Sequence, residues 1–332
     1  MAAVIALELG RLIVRVVPQR LCFLLARLAA DLGFFVVYRF RQRSLHNLAI
    51  AFGRELDGAT RKSIARRSLR GFFQGFVEMG LALTQPLEKM RQDIPLAGKE
   101  HLERALARGR GVIVLSAHLG NFFLLGSRLA AEGYPVWVVV KPTFGDRCRR
   151  FADLMDSYRL KLGQRTIRAR PRRRAVRELI EALRRNEIVV IIADEYRSKG
   201  LPVTFFGRTV LARRGASTLA LRAGGGVVPV VMARDGNGKL RARVEPELEF
   251  VQTGRLSDDV RENTRRMTNW VETLVRAYPD QWNWAVVRWQ ERAGDRPGAG
   301  GSKGSVASTR EANDARKAEG ETVEQNEGDR RA

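Results

Sequence analysis

His118 is the residue best placed to do chemistry. It follows the apolar run Val112-Ile113-Val114-Leu115 and the small residues Ser116-Ala117, and it precedes Leu119-Gly120-Asn121-Phe122-Phe123. That order predicts a buried strand, a tight turn and a helix start. The imidazole then stands at the carboxyl end of a strand, the edge along which ligand crevices open in α/β sheets. Imidazole is also the side chain that exchanges a proton near neutral pH. The chain has 332 residues but only three histidines and two cysteines, so metal and disulfide chemistry have little to draw on. Cys22 and Cys148 lie in no metal or redox spacing, and no Cys/His cluster exists. Neither a zinc site nor a structural disulfide is expected, which suits a reducing compartment.

A second group of candidates is cationic. Lys and Arg number 59 against 36 Asp and Glu, a formal charge of +23. The stretch from Ala293 to the end holds eight acidic and seven basic residues, so the positive excess belongs to the body. Such a body favours an anionic partner: nucleic acid, an anionic membrane surface or a phosphorylated substrate. No nucleic-acid motif is present, and a basic amphipathic N-terminus accounts for the charge more economically, so nucleic acid ranks last. Arg168, Arg170, Arg172, Arg173, Arg174 and Arg177 crowd a helix start, where positive charge opposes the helix dipole. The block makes better sense facing phosphate or lipid head groups than water.

Several elements must position these residues. Met1 to Phe40 is rich in Leu, Val, Ile, Ala and Phe but is interrupted by charges, and no uncharged run reaches the ~20 residues of a spanning helix. Two amphipathic helices divided near Pro18 are expected, lying on a membrane surface. Arg41 to Gln85 reads as helical around a polar break at Glu55–Thr60, with Thr60 as cap of the second part. Pro86 to Lys99 reads as a connection. Strands are expected at Val136–Val140, Thr166–Arg168, Glu187–Ala193 (ending at Asp194-Glu195) and Val203–Phe206, with Gly207-Arg208 as a turn. Asp235-Gly236-Asn237-Gly238 marks a hairpin between Val227–Met232 and Leu240–Val244. Helices are expected over Asn121–Glu132, Arg147–Leu162, Arg173–Arg185, Gly215–Ala223 and Arg261–Ala277. The alternation implies an α/β fold with a single mixed, largely parallel sheet flanked by helices. Three parts are expected: membrane-associating helices over 1–40, an α/β domain over 41–292 and a disordered, Gly-, Ser- and charge-rich tail over 293–332.

Ordered motifs then carry a resemblance. They are His46-Asn47-Leu48 with Phe52, Phe72 to Glu78, Gly98-Lys99-Glu100-His101-Leu102, and Gly109 to Ile113 with Ser116 to Asn121. After these come Ala193-Asp194, Phe205-Phe206-Gly207-Arg208, Val227-Val228-Pro229-Val230, and Gln281-Trp282-Asn283-Trp284 with Arg288-Trp289. In this order they resemble the bacterial lipid A biosynthesis acyltransferases, the lauroyl/myristoyl transferase family. The resemblance implies acyl transfer from an acyl carrier protein or coenzyme A thioester to a hydroxyl of lipid A or a related anionic glycolipid. It places the protein on the cytoplasmic face of a bacterial inner membrane, with no cofactor and no metal. It makes His118 the general base. The family's His-x-x-x-x-Asp/Glu pattern puts an acid at position 123, where this chain has Phe123. Asp194 and Glu195 are the candidate replacements. Asn121, Lys141, Arg208, Arg213 and Arg214 are candidate substrate-binding residues, the cations toward an acceptor phosphate or the carrier's phosphopantetheine. The alternative is a catalytically impaired homologue that binds lipid or acyl carrier protein without turnover.

Overall fold

Apolar runs become strands in a computed structural model that describes residues 2–141, 149–196, 200–287 and 289. The expected disordered tail over 293–332, together with Cys148 and Arg288, lies outside the described residues. Strands β1 (Leu96–Ala97), β2 (Val112–Ser116), β3 (Val136–Val140), β4 (Gln164–Arg168) and β5 (Ile188–Ile192) precede a hairpin of β6 (Leu201–Phe205) and β7 (Arg208–Ala212). Then come β8 (Gly226–Arg234) and β9 (Leu240–Val244). The main sheet has seven strands in the order β1-β9-β8-β2-β5-β3-β4, parallel except for the antiparallel β8–β9 pair. Every residue of β2 is buried, as expected for a strand paired on both edges and covered on both faces.

The helices are α1 (Ala2–Val16), α2 (Gln19–Val36), α3 (Tyr38–Phe52), α4 (Gly58–Ala82), α5 (Lys89–Asp93), α6 (Lys99–Leu106), α7 (Phe122–Ala130), α8 (Arg149–Lys161), α9 (Arg172–Arg184), α10 (Gly215–Ala223) and α11 (Leu256–Ala277). Strand alternation divides the core. Val112, Val114, Ile188 and Val190 pack with Leu124 and Leu129 of α7 and Met155 of α8. Ile113, Leu115 and Val189 pack on the other face with Leu179 and Leu183 of α9 and Leu219 of α10. A third cluster sits at the carboxyl edge, where Phe34, Leu48, Phe52, Phe205, Trp282 and Trp284 meet Ala117 and Leu119.

Three expectations need correction. The single sheet is joined by a separate two-stranded ribbon, because Arg208–Ala212 is a strand rather than part of a turn. Its alternation, with Val210 and Ala212 buried between more exposed neighbours, is the signal that was passed over. Pro86 to Lys99 is more than a connection, since α5 and β1 lie within it. The cap of α4 is Asp57, whose carboxylate accepts the Thr60 N–H at 2.6 Å, so Thr60 donates rather than caps.

Two further features bear on function. Helix α2 buries Cys22, Ala26, Ala30 and Phe34 yet exposes Leu21, Leu25, Leu28, Leu32 and Phe35 on another side. Asp31 pins it to α4 through Arg66 and Arg70. No single helix among the described residues is long and apolar enough to cross a membrane, although α2 and α3 pass together by length and composition across an 86° bend. The second feature is a fork. Strand β5 follows β2 to Ser116–Ile192, and β3 follows β4 to Val140–Arg168, but β3 and β5 pair only from Val136–Ile188 to Val138–Val190. Beyond that point the carboxyl ends of β3 and β5 are unpaired with each other and the sheet opens.

Candidate active site

The loop after β2 carries His118 to the mouth of the fork. Gly120 has φ +56, and a Cβ there would run into the Met232 carbonyl oxygen, so only glycine fits this turn. Backbone bonds from the far end of the chain hold it. The Gly120 N–H donates to Gln281 O at 2.9 Å, the Asn283 N–H donates to His118 O at 3.0 Å, and Leu119 bridges to Trp282.

Asp194 follows β5, the neighbour of β2, and is fully buried. Its Oδ1 lies 2.7 Å from His118 Nδ1. Its Oδ2 accepts the His118 backbone N–H at 2.7 Å and the Trp282 indole N–H at 2.7 Å. Burial pushes this carboxyl up, but the imidazole and the N–H donors outweigh it and hold the group below its ordinary value. An ionised carboxylate only accepts, so Nδ1 of the neutral ring carries the proton and Nε2 keeps its lone pair. The His118 side chain is 20 % exposed. Such an arrangement can deliver a base at Nε2 and stabilise the imidazolium that forms.

A cavity of about 650 Å³ begins at His118 and passes through the fork. One lobe lies against α4, α7 and α8, among Phe72, Met79, Phe123, Met155 and Leu162. The other lies between α9 and α10, among Val176, Leu179, Ile180 and Leu219. Phe123 takes part in an aromatic wall, its ring 4.1 Å from Phe122, 5.2 Å from Phe76 and 5.9 Å from Phe72 between centroids. The position of the family's acid is therefore apolar in its surroundings as well as in its side chain.

The remaining candidates separate. Glu195 lines the cavity and pairs with Lys141, bridging the two lips of the fork. It is Asp194, not Glu195, that bonds His118. Arg213 also lines the cavity, whereas Arg208 and Arg214 do not. Asn121 needs correction. It is fully buried, and its amide donates to Glu78 at 2.8 Å and to Gly75 O at 3.3 Å, so it ties α7 to α4 instead of facing substrate.

Sequence reasoning missed the group behind the turn. Glu78 makes a two-point ion pair with Arg234 of β8, the longer contact 2.8 Å. The backbone N–H and carbonyl of Arg234 are bonded by the Gln281 side chain at 2.7 and 2.9 Å. Gln281 also holds Gly120, so Gly120-Asn121, Glu78, Arg234 and Gln281 close a polar ring. Asn47 similarly donates to Trp284 O at 2.6 Å and accepts from the Trp289 indole. Glu78, Asn47 and Gln281 all lie in stretches that carry the resemblance, which was the available signal.

Comparison with known proteins decides the family. The model described as bacterial lipid A biosynthesis acyltransferase matches residues 3–291. The chain belongs to this family. It is thus an acyltransferase, as the motifs implied. The palmitoleoyltransferase of lipid A biosynthesis from Escherichia coli K12 is 26% identical over 276 residues, covering 82% of this chain and 85% of that one. The lipid A biosynthesis lauroyltransferase of the same organism is 24% identical over 274 residues, 80% of this chain and 85% of its own. A phosphatidylinositol mannoside acyltransferase of Mycolicibacterium smegmatis is 26% identical over 203 residues, 60% and 64% of the two chains.

Proposed function

We propose that this acyltransferase moves an acyl chain from an acyl thioester, carried on acyl carrier protein or coenzyme A, to a hydroxyl of lipid A or a related anionic glycolipid. His118 Nε2 removes the hydroxyl proton as the oxygen attacks the thioester carbonyl. Asp194 keeps the ring in that tautomer and balances the imidazolium. The tetrahedral oxyanion is met by the Phe122 and Phe123 N–H groups at the amino end of α7. Collapse breaks the carbon–sulfur bond, and the imidazolium returns its proton to the leaving thiolate. The acyl chain occupies the apolar lobe beside Phe123.

The observation that carries this reading is the buried Asp194 bonded to His118 at the mouth of an apolar cavity. It favours turnover over the alternative of an impaired lipid- or carrier-binding homologue, since a carboxylate reaches the imidazole without position 123. The names of the relatives support a glycolipid acceptor. The exposed leucines of α2, with exposed Leu9, Leu12, Ile13 and Val16 of α1, support residues 1–40 as the part that meets the cytoplasmic face of a bacterial inner membrane. Residues 41–292 are then the catalytic domain.

The test is transfer by detergent-solubilised protein offered both thioesters and a lipid A precursor. His118→Ala is expected to abolish transfer while vesicle binding persists. Near-normal transfer by that variant would remove His118 from the mechanism.

A further inference from the structure

The α9–α10 lobe differs in chemistry from its counterpart across the sheet. Arg172 in the first turn of α9, Arg213 just before α10 and Arg222 in its last turn all line it. None of the three carries an ion pair among the described residues. Of the other arginines nearby, Arg168 is paired with Asp153 and Asp156, Arg174 with Glu178 and Arg159 with Asp156. The one carboxylate lining the cavity among the described residues, Glu195, is held by Lys141. Three exposed like charges thus line one recess without an ion-pair partner among the described residues. Arg172 and Arg213 also stand at the amino ends of helices, where a cation is disfavoured. Below these charges the walls are apolar, through Val176, Leu179, Ile180 and Leu219. A ligand that fits is amphiphilic: an anionic group at the rim and an uncharged arm running inward to His118.

We propose that the α9–α10 lobe is a phosphate-binding subsite, in which Arg172, Arg213 and Arg222 hold a phosphate group of one substrate while its uncharged arm lies in the fork between β3 and β5. Guanidinium forks match phosphate oxygens in number and geometry, and a phosphate would neutralise the cluster. This rests on His118 being the reaction centre, because that is what the arm must reach. Phosphate can arrive on the arm of the thioester donor or on the head group of the acceptor.

The experiment uses the full chain in detergent. Calorimetry compares coenzyme A with phosphate-free pantetheine. Kinetics compare acyl-coenzyme A with acyl-pantetheine, and phosphorylated with dephosphorylated acceptor glycolipid. The proteins are wild type, Arg172→Gln, Arg213→Gln, Arg222→Gln, the triple variant, and Arg104→Gln as an exposed arginine on α6 away from the cavity. Each single change is expected to weaken the phosphate-bearing substrate several-fold. The triple change should weaken it by roughly 100-fold, leaving the phosphate-free analogue unaffected. Loss confined to coenzyme A and its thioester places the phosphate on the donor. Loss confined to the phosphorylated acceptor places it there. The proposal is overturned if the triple variant binds and uses every phosphorylated substrate within twofold of wild type. It is also overturned if Arg104→Gln causes the same loss, which would make the effect one of general surface charge. His118→Ala separates the two readings. Transfer surviving in that variant would discard the base, while phosphate-selective binding lost with the arginines would still establish the subsite.

Discussion

Asp194 grips His118 twice, its Oδ1 2.7 Å from the ring Nδ1 and its Oδ2 2.7 Å from the backbone nitrogen of the same residue. One carboxylate therefore fixes both the tautomer of the imidazole and the place of the turn that bears it. Asp194→Asn keeps the shape but can present an N–H to Nδ1, which favours the opposite tautomer. We expect kcat to fall by about 10³- to 10⁴-fold with KM little changed. Steady-state kinetics on the acyl thioester would show this, and a loss below tenfold would take Asp194 out of the proton path.

The same pair has a pH signature. Asp194 is held below its ordinary value because the imidazole and the N–H donors outweigh its burial. An unfolded aspartate titrates near about 3.9, so the unfolded chain takes up its proton first as pH falls. The stabilisation is complete above that value and is lost as pH drops through the lower, folded pKa. Melting curves of wild type and Asp194→Asn should therefore be widely separated at pH 7 and converge below about pH 4. A gap that widened in acid would have the wrong sign.

Restoring the family's acid at position 123 should not help. The ring of Phe123 sits against Phe72, Phe76 and Phe122, with no cation among those neighbours. A carboxylate placed there loses solvation without gaining a partner, so it is driven toward its neutral form, and even an unpaired neutral polar group costs about 1–3 kcal/mol. Phe123→Glu is expected to melt earlier and turn over no faster than wild type. A large gain in kcat would mean that Asp194 does not serve His118.

Behind the turn, Glu78 and Arg234 are both shielded, with 13% and 14% of their side chains exposed. Glu78→Gln strands the guanidinium and should destabilise the fold by about 3 kcal/mol. Arg234→Met alone strands the carboxylate similarly, whereas the double variant should recover much of the loss. A double-mutant cycle by denaturant unfolding measures this, and simple additivity would deny the coupling.

Gly120 offers a sharper steric test. Its left-handed φ and the Met232 carbonyl leave no room for a methyl group. Gly120→Ala should cost at least about 2 kcal/mol and displace His118. A variant with normal stability and activity would show that the turn tolerates another path.

Much of this site could be read from residue order. Five consecutive buried residues ending in Ser116 made the strand visible, and the turn after it could only lie at the carboxyl edge. Asp194 was legible for the same reason, as the first polar residue after another apolar run. Its preference over Glu195 was not legible. It depends on the Trp282 indole, 88 residues away, and on Lys141 taking the alternative carboxylate. The misreading of Asn121 has a similar cause, since its amide is claimed by Glu78, 43 residues earlier. The fork left no mark in the sequence, because β3 and β5 keep their apolar pattern past the point where their pairing stops.

The segment Gln281-Trp282-Asn283-Trp284 lies near the end of the described chain yet holds the turn at His118–Gly120 and the carboxylate of Asp194. Asn47 and Ser68, from the first quarter of the chain, anchor that segment in turn. A chain still emerging from the ribosome can pair β2 with β5 and cover both faces, but Asp194 and the His118–Gly120 turn lack these further holds until residues near 284 are free to fold back. Synthesis from the amino end thus brings α1 and α2 out first and the completed site last. An unfinished chain therefore carries its amino-terminal helices long before it holds a complete site.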